Sequence, residues 1–312
     1  MRIAFIVDPL ARLKAYKDSS VFMMREAASR GHEVYAFEMQ DLFSFGTVSA
    51  NVSRLSLSND NDGWYAVTAN QTQPLTFFDA VLMRKDPPFD QEYLYATLLL
   101  DLAEKQGARV INRPRSLRDY NEKLAIEKFP QFIAPTLVSR QMGRIHGFID
   151  DHKDVIIKKL DGMGGTSIFR VRADDPNRNA IVEVQTVDGS VSVMAQRYIP
   201  EIAKGDKRVL VIDGMPVPFC LARIPKEGET RGNLAAGGRG VAQPISARDR
   251  EIAETLGPQL KVDGLTIVGL DIIGDYLTEV NVTSPTCMVE IFGQAGFNSA
   301  ALVIDALEHR AS

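Results

Sequence analysis

Two cysteines, four histidines and one tryptophan are few for a chain of 312 residues, and that scarcity removes whole classes of chemistry. Cys220 and Cys287 show neither CxxC spacing nor a disulfide framework. His32, His146, His152 and His309 are scattered, so neither a zinc set nor a Cys–His dyad is expected. No stretch approaches the roughly 18 apolar residues of a membrane helix. The apolar run at the amino terminus stops at Asp8 and Pro9, too soon for a signal-peptide core. These absences point to a reducing, cytoplasmic setting with no membrane partner. Neither sign of charge dominates: 36 basic against 40 acidic side chains give a net charge of −4, and the basic ones are dispersed. Nucleic-acid binding therefore has no electrostatic support. Repeats and low-complexity tracts are also missing. What is present is 45% hydrophobic and 24% charged, a soluble globular composition sized for roughly two domains of about 150 residues each.

The first third alternates strand-like and helix-like segments. "RIAFIVD" reads as a strand, and Asp18 or Ser19 can cap a helix that stops at Gly31. "HEVYAFE" is a second strand. "FDAVLMRKDPPFD" is a strand ending in a Pro-Pro turn, "QEYLYATLLLDLAEKQG" a strong helix, and "ARVIN" another strand. This β-α-β order predicts a parallel sheet with helices on its faces. Residues 49–73, rich in Ser and Asn, read as an irregular excursion or an edge hairpin. Residues 113–129 read as one capped helix at a domain junction. A second unit follows, with a helix, the strand "DVIIKKL", a glycine loop, and the strands "SIFRV" and "VSVMAQRYI". The last third holds two strands around Asp213-Gly214, a helix "SARDREIAETLGPQLK", and the strands "TIVGLDII" and "YLTEVNV".

Three constellations carry chemistry. In "VGLDIIGDYLTEVNVTSPT", Glu279 and Asn281 lie two apart and share a strand face. A two-residue Gly274-Asp275 turn pairs Asp271 with Thr278, on the other face from Glu279. A three-residue turn pairs Asp271 with Glu279 instead, and that odd turn is the expectation here. Two carboxylates and an amide oxygen suit Mg²⁺, which completes its shell with phosphate oxygens. The alternative is that these groups are simply solvated. In "IIKKLDGMGGTSIFRV", the glycines fit neither a dinucleotide fingerprint nor a Walker loop. A β-hairpin whose amides lie over phosphates, with Lys158 as a point charge, stands beside a plain turn as the two readings. "GETRGNLAAGGRG" packs five glycines with Arg231 and Arg239 into a stretch without periodicity, either a lid or a solvated linker.

Taken together, "LMRKDPPFD", "SLRDYNEK", "LDGMGGTSIFRV", "GDKRVLV", "ARIPKEGETRGNLAAGGRG", "VGLDIIGD" and "TEVNVTSPT" resemble bacterial glutathione synthetases, members of the ATP-grasp ligases, over nearly the whole chain. The resemblance implies an α/β fold of the α+β sandwich type. Residues 1–122 would form an amino-terminal parallel-sheet domain, 123–203 a central lid, and 204–312 a catalytic domain with a flexible loop at 225–240. ATP would be held by Lys123 and Lys158, by the glycine loop with Gly162, Gly164, Gly165, Thr166 and Ser167, by Gln196, Tyr198 and Ile199 around adenine, and by Asp206 near the ribose. Mg²⁺ or Mn²⁺ would be bound by Asp271, Glu279 and Asn281. Arg208, Arg223 and Arg231 would serve catalysis, with Arg84, Ser284 and Thr286 at the substrate end. The family reaction joins γ-glutamylcysteine to glycine, and family members are homo-oligomers, commonly tetramers. Lys159 stands where a proline is common and Val289 where arginine is common, two departures from the family pattern. The rivals are another ATP-grasp ligase with a different acceptor and a binding module that has lost turnover.

Overall fold

The computed structural model describes residues 1–162, 164–226, 232 and 237–309. Three sheets follow one another along the chain. The first is built on β1 (Arg2–Ile6), whose neighbours β2 (Glu33–Phe37) and β6 (Ala80–Met83) both run parallel to it. β7 (Val110–Ile111) extends the sheet beyond β6. These short runs are almost wholly apolar because helices cover both faces. Between β1 and β2 runs α1 (Ser19–Ser29), whose cap is Asp18, accepting from the amides of Ser20 and Val21 at 2.7 and 3.0 Å. α2 (Gln91–Lys105) and α3 (Pro114–Asp119) pack on the opposite face. Because the chain leaves β1 toward β2 on one side and β6 on the other, their carboxyl ends open a crevice, and Arg84 stands at its edge.

Residues 49–73 fall within an edge hairpin of β4 (Thr47–Leu57) and β5 (Tyr65–Pro74), with β3 (Leu42–Phe45) beside β4. The single helix expected over residues 113–129 is broken. α3 ends at Asp119, and the Asn121 side chain then accepts from the amides of Lys123 and Leu124 at 3.1 and 3.0 Å. That local alternative to helical bonding restarts the chain as a 3₁₀ turn, Leu124–Lys128.

The second sheet is antiparallel, in the order β10 (Phe169–Arg172), β9 (Asp154–Lys159), β11 (Val193–Arg197), β8 (Thr136–Ser139). α4 (Met142–His152) and α5 (Arg178–Thr186) cover one face and enclose a small core of Ile145, Ile149, Val155, Ile157, Val171, Val182, Val193 and Ala195. α5, unforeseen in the sequence, is made of β-branched and polar residues apart from Ala180, with no leucine to mark it.

The third sheet runs β14 (Arg239–Pro244), β13 (Met215–Ile224), β12 (Asp206–Ile212), β15 (Ile267–Ile273), β16 (Tyr276–Asn281), all antiparallel. One face, with Val209, Val211, Val268, Leu270, Leu277 and Val280, lies on α6 (Ala247–Val262). The other face is split. Leu210, Ile212, Leu221 and Ile267 pack with α7 (Met288–Ala295) and α8 (Ser299–His309) in a core that continues into α1 and β1. The remaining half of that face is polar. The first and third sheets thus share their cores; the second adds a small core of its own and sends Met194 into the shared one. No described helix is long and apolar enough to cross a membrane.

Candidate active site

The polar half of the third sheet is assembled by register. Arg208 of β12 lies opposite Asp271 of β15, which lies opposite Glu279 of β16. Asp206 lies opposite Arg223 of β13. With side chains alternating across the sheet, Asp206, Arg208, Arg223, Asp271, Glu279 and Asn281 share one face. The pairing of Asp271 with Glu279 is the one expected, but its cause differs. The hairpin has a two-residue turn, Gly274-Asp275, with Ile273 opposite Tyr276, and the odd residue is taken up by a bulge at Thr278. The Thr278 hydroxyl donates to the Asp271 carbonyl at 3.1 Å, pinning that bulge.

The network is buried and charge-balanced. Arg208 grips Asp271 with Nε and Nη2, the latter at 2.9 Å, and Arg223 Nη2 lies 2.8 Å from the same carboxylate. Arg223 also pairs with Asp206. Burial opposes ionisation of Asp271, but the two guanidinium charges outweigh it and hold the group well below the usual carboxylate range. Burial pushes Asp206 up to about 7 against the pull of Arg223. One Asp206 oxygen is buried without a hydrogen-bond partner.

Facing this network is a cleft between the second and third sheets, enclosing ≈ 790 Å³ of space, part of it open to solvent. Lys158 of β9 and Lys123, ahead of the 3₁₀ turn, reach into it, 5% and 3% exposed. Their ammonium groups converge on Glu279 Oε1, at 3.9 and 3.6 Å. Lys158 also donates to the Thr278 carbonyl at 3.2 Å, and Lys123 to the Gly162 carbonyl. Burial lowers the Lys158 pKa. For Lys123, burial acts the same way, but Glu279 and Glu122 outweigh it and raise the group above its ordinary value.

Gly162, Gly164, Gly165 and Thr166 wall the cleft in the β9–β10 connection, and Gln196, Tyr198, Ile199 and Asp206 line it further in. Gly164 and Gly165 hold φ of +62° and +82°, a region that disfavours side chains. Ser167, at φ +57°, belongs to the loop but not to the cleft wall. The Gln196 amide donates to the Thr136 hydroxyl at 2.9 Å. Tyr198 is clamped by the Arg170 guanidinium 3.6 Å above its ring, itself held bidentately by Asp154.

Sequence reasoning missed the apolar slot of Ile156, Ile168, Ile202 and Ile273, as well as Glu122 and Gly232. Alternation gave one clue: Ile156 lies two residues before Lys158 and shares its face. Gly232 has no such marker; a Cβ there would stand 2.3 Å from the Arg223 carbonyl.

The substrate-end residues gather at the crevice. Arg84 is buried. Its Nε donates to the Ser20 hydroxyl at 3.1 Å and its Nη2 to the Pro285 carbonyl at 2.9 Å, while Nη1 has no partner. Pro285 sits between half-buried Ser284 and exposed Thr286. Its side chain and that of Arg208 both close over Gly269, linking this crevice to the arginine–aspartate network. Arg231 lies outside the described residues. Arg239, read in the sequence as part of a structureless loop, is the first residue of β14, opposite Ile224. Val289 falls in the first turn of α7.

A divalent cation fits the donor set. The Asn281 amide donates to the Gly269 carbonyl at 3.2 Å, leaving its oxygen as an acceptor on the face of Asp271 and Glu279. Among the described residues no three His, Cys, Asp or Glu side chains cluster as a metal cage.

Family comparisons agree with this geometry. Residues 1–118 match the model of the prokaryotic glutathione synthetase N-terminal domain, and residues 122–296 match that of the ATP-grasp domain. Glutathione synthetase of Ralstonia nicotianae is 56% identical over 312 residues, covering 100% of this chain and 96% of that protein. The enzyme of Nitrosomonas europaea is also 56% identical, covering 99% and 98%. Among solved structures, D-cycloserine synthetase superposes with a TM-score of 0.70 at 14% identity, over 99% of this chain and 100% of that one, a likeness of fold. Matched along both of its parts and along its whole length, the chain belongs to the prokaryotic glutathione synthetase family.

Proposed function

We propose that this chain joins γ-glutamylcysteine to glycine with cleavage of ATP, and that the cleft between the second and third sheets is where it does so. The observation that carries the reading is the convergence of two buried lysines, from separate elements, on Glu279. Buried cations held this way await a polyanion, and the triphosphate supplies one. Lys123 and Lys158 contact its oxygens, and the amides of Gly162, Gly164, Gly165 and Thr166, with Ser167 supporting the loop, cover them. Gln196, Tyr198 and Ile199 border adenine in the isoleucine slot, and Asp206 faces the ribose. Asp271, Glu279 and Asn281 hold Mg²⁺ or Mn²⁺, which neutralises phosphate charge when bound.

The dipeptide carboxylate oxygen attacks the γ-phosphorus, the bond to the β–γ bridging oxygen breaks, and ADP leaves. The glycine amine then attacks the acyl carbon, phosphate departs with the electron pair of the C–O bond, and the amine proton passes to solvent. Negative charge moves between oxygens in both steps, so Arg208 and Arg223, fixed in place by Asp271, stabilise it without reorganising. Arg84, with its unpartnered Nη1, takes the dipeptide end together with Ser284 and Thr286. No enzyme nucleophile is needed. Cys220 and Cys287 are buried free thiols whose pKa values burial raises, in keeping with structural roles in a reducing cytoplasm. We assign residues 1–122, 123–203 and 204–312 to three domains, the middle one a lid because its sheet and two helices enclose a separate small core.

The test is phosphate release with ATP and Mg²⁺, omitting each amino substrate in turn. Turnover is expected only with γ-glutamylcysteine and glycine together; release with either alone, or with another acceptor in place of glycine at equal rate, refutes the assignment.

A further inference from the structure

The second and third sheets meet again at the rim of the cleft. Arg197 ends β11, and Gln196, Arg197 and Tyr198 follow one another along the cleft wall. The Arg197 amide donates to the Pro135 carbonyl at 2.9 Å, so its backbone belongs with the second sheet. Its side chain leaves that sheet. Nη2 donates to the Tyr276 hydroxyl at 3.0 Å, and the guanidinium carbon stands 5.5 Å from the centre of the tyrosine ring. Tyr276 is the first residue of β16, in the third sheet, opposite Ile273 of the cleft wall. Tyr276 itself does not line the cleft.

The tyrosine is mounted on a fixed turn. Lys207 of β12 donates to the Gly274 carbonyl at 3.1 Å and pairs with buried Asp249 of α6. Arg248 Nε donates to the Asp275 carbonyl at 3.2 Å. Gly274 holds φ +56°, and a Cβ there would stand 3.0 Å from Cβ and Cγ of Glu201, in the 3₁₀ turn Pro200–Lys204 that follows β11. The hairpin tip is thus tied to β12 and α6 and closely approached by the chain that leaves the second sheet. Lys158 also crosses from the second sheet to the third, donating to the Thr278 carbonyl, but its ammonium is the one that phosphate oxygens take over.

A cleft that encloses its ligand must widen to exchange it, and the second sheet, with a small core of its own, can move as a body. Widening separates Arg197 from Tyr276. A contact made only in the closed arrangement biases the equilibrium by its own free energy, and ligand affinity follows the closed fraction. We propose that Arg197 and Tyr276 are positioning residues for the nucleotide: their hydrogen bond latches the second sheet to the β15–β16 turn and sets how long nucleotide stays in the cleft. The inference rests on the reading of that cleft as the ATP site.

Titration calorimetry with a non-hydrolysable ATP analogue and Mg²⁺, beside stopped-flow release of ADP, tests it on the full chain without amino substrates. Tyr276→Phe removes one hydroxyl and keeps the ring; Arg197→Met removes the donor and keeps most of the stem. Each is expected to weaken nucleotide affinity about fivefold, through faster release. The nucleotide-free melting temperature stays within about 2 °C of wild type, and the KM for γ-glutamylcysteine holds. The double variant also loses about fivefold, because both changes break one bond. Unchanged affinity in Tyr276→Phe, losses that multiply in the double variant, or a melting temperature that falls along with affinity overturns the proposal. A wild type that binds nucleotide with this pattern but makes no peptide supports the latch and refutes the ligase reading alone. A wild type that binds no nucleotide refutes both.

Discussion

Asp271→Asn keeps the shape of the side chain and removes its charge, and the structure sets what that costs. Asp206, Asp271, Arg208 and Arg223 form a buried set of two carboxyl groups and two guanidinium charges. Neutralising Asp271 leaves Arg208 with no carboxylate and Arg223 with one, in a site from which water is excluded. Stripping one partner from a buried ion pair costs about 3–5 kcal/mol. At about 2–4 °C per kcal/mol, the nucleotide-free protein melts roughly 6–20 °C lower. Turnover falls about 100-fold or more, because Arg208 and Arg223 lose the anchor that aims them at the developing charge. The companion variant Arg208→Met/Asp271→Leu removes one charge of each sign and leaves the Arg223–Asp206 pair intact. It is expected to recover most of the lost stability, since apolar replacement of a buried pair is often neutral or better. It recovers no activity. Scanning calorimetry at one fixed rate, beside phosphate release, separates the two effects. An Asp271→Asn protein melting within about 2 °C of wild type refutes the energetic argument. Activity in the double variant refutes the catalytic one.

Three further variants probe neighbouring parts. Lys158→Met discards a buried ammonium whose ionisation burial already disfavours, so the nucleotide-free protein holds or gains in melting temperature. ATP affinity by calorimetry weakens about 30-fold or more, the ~2 kcal/mol lost with a buried charge contact; a less stable protein of unchanged affinity contradicts this. Gly269→Ala places a methyl 2.8 Å from Arg208 Cδ and 3.0 Å from Pro285 Cβ. It raises the KM for γ-glutamylcysteine far more than that for ATP at an overpacking cost of about 1–3 kcal/mol, and equal effects on both substrates count against the link between network and crevice. Glu279→Gln raises the Mg²⁺ concentration for half-maximal rate by about tenfold or more, so wild-type rates at limiting Mg²⁺ rule out the ligand role.

How far the sequence reaches into this site depends on the distance over which each feature is decided. The parallel part of the first sheet, β2, β1, β6 and β7, was legible because its strands are continuous apolar runs between capped helices, a local signal. The glycine hairpin and Lys158 were legible for the same reason. By contrast, residues 113–129 look helical throughout, and only the Asn121 side chain, bonding two amides ahead of it, breaks them. The arginine–aspartate network lay further out of reach. β12 and β15 are neighbours in the sheet, yet β13, β14 and α6 lie between them in the chain. Nothing local says that Arg208 will face Asp271. The sharpest case is the β15–β16 hairpin. Whether Asp271 and Glu279 share a face is a question of parity, and a turn of two residues or of three gives opposite answers. The chain uses the even turn that Gly274-Asp275 favours and corrects parity with one bulged residue at Thr278. A threonine suits that place because its hydroxyl reaches the Asp271 carbonyl and its own carbonyl accepts from Lys158. The bulge that aligns the two carboxylates is therefore also the seat of a buried lysine, and the site's register and its charge are set by the same residue.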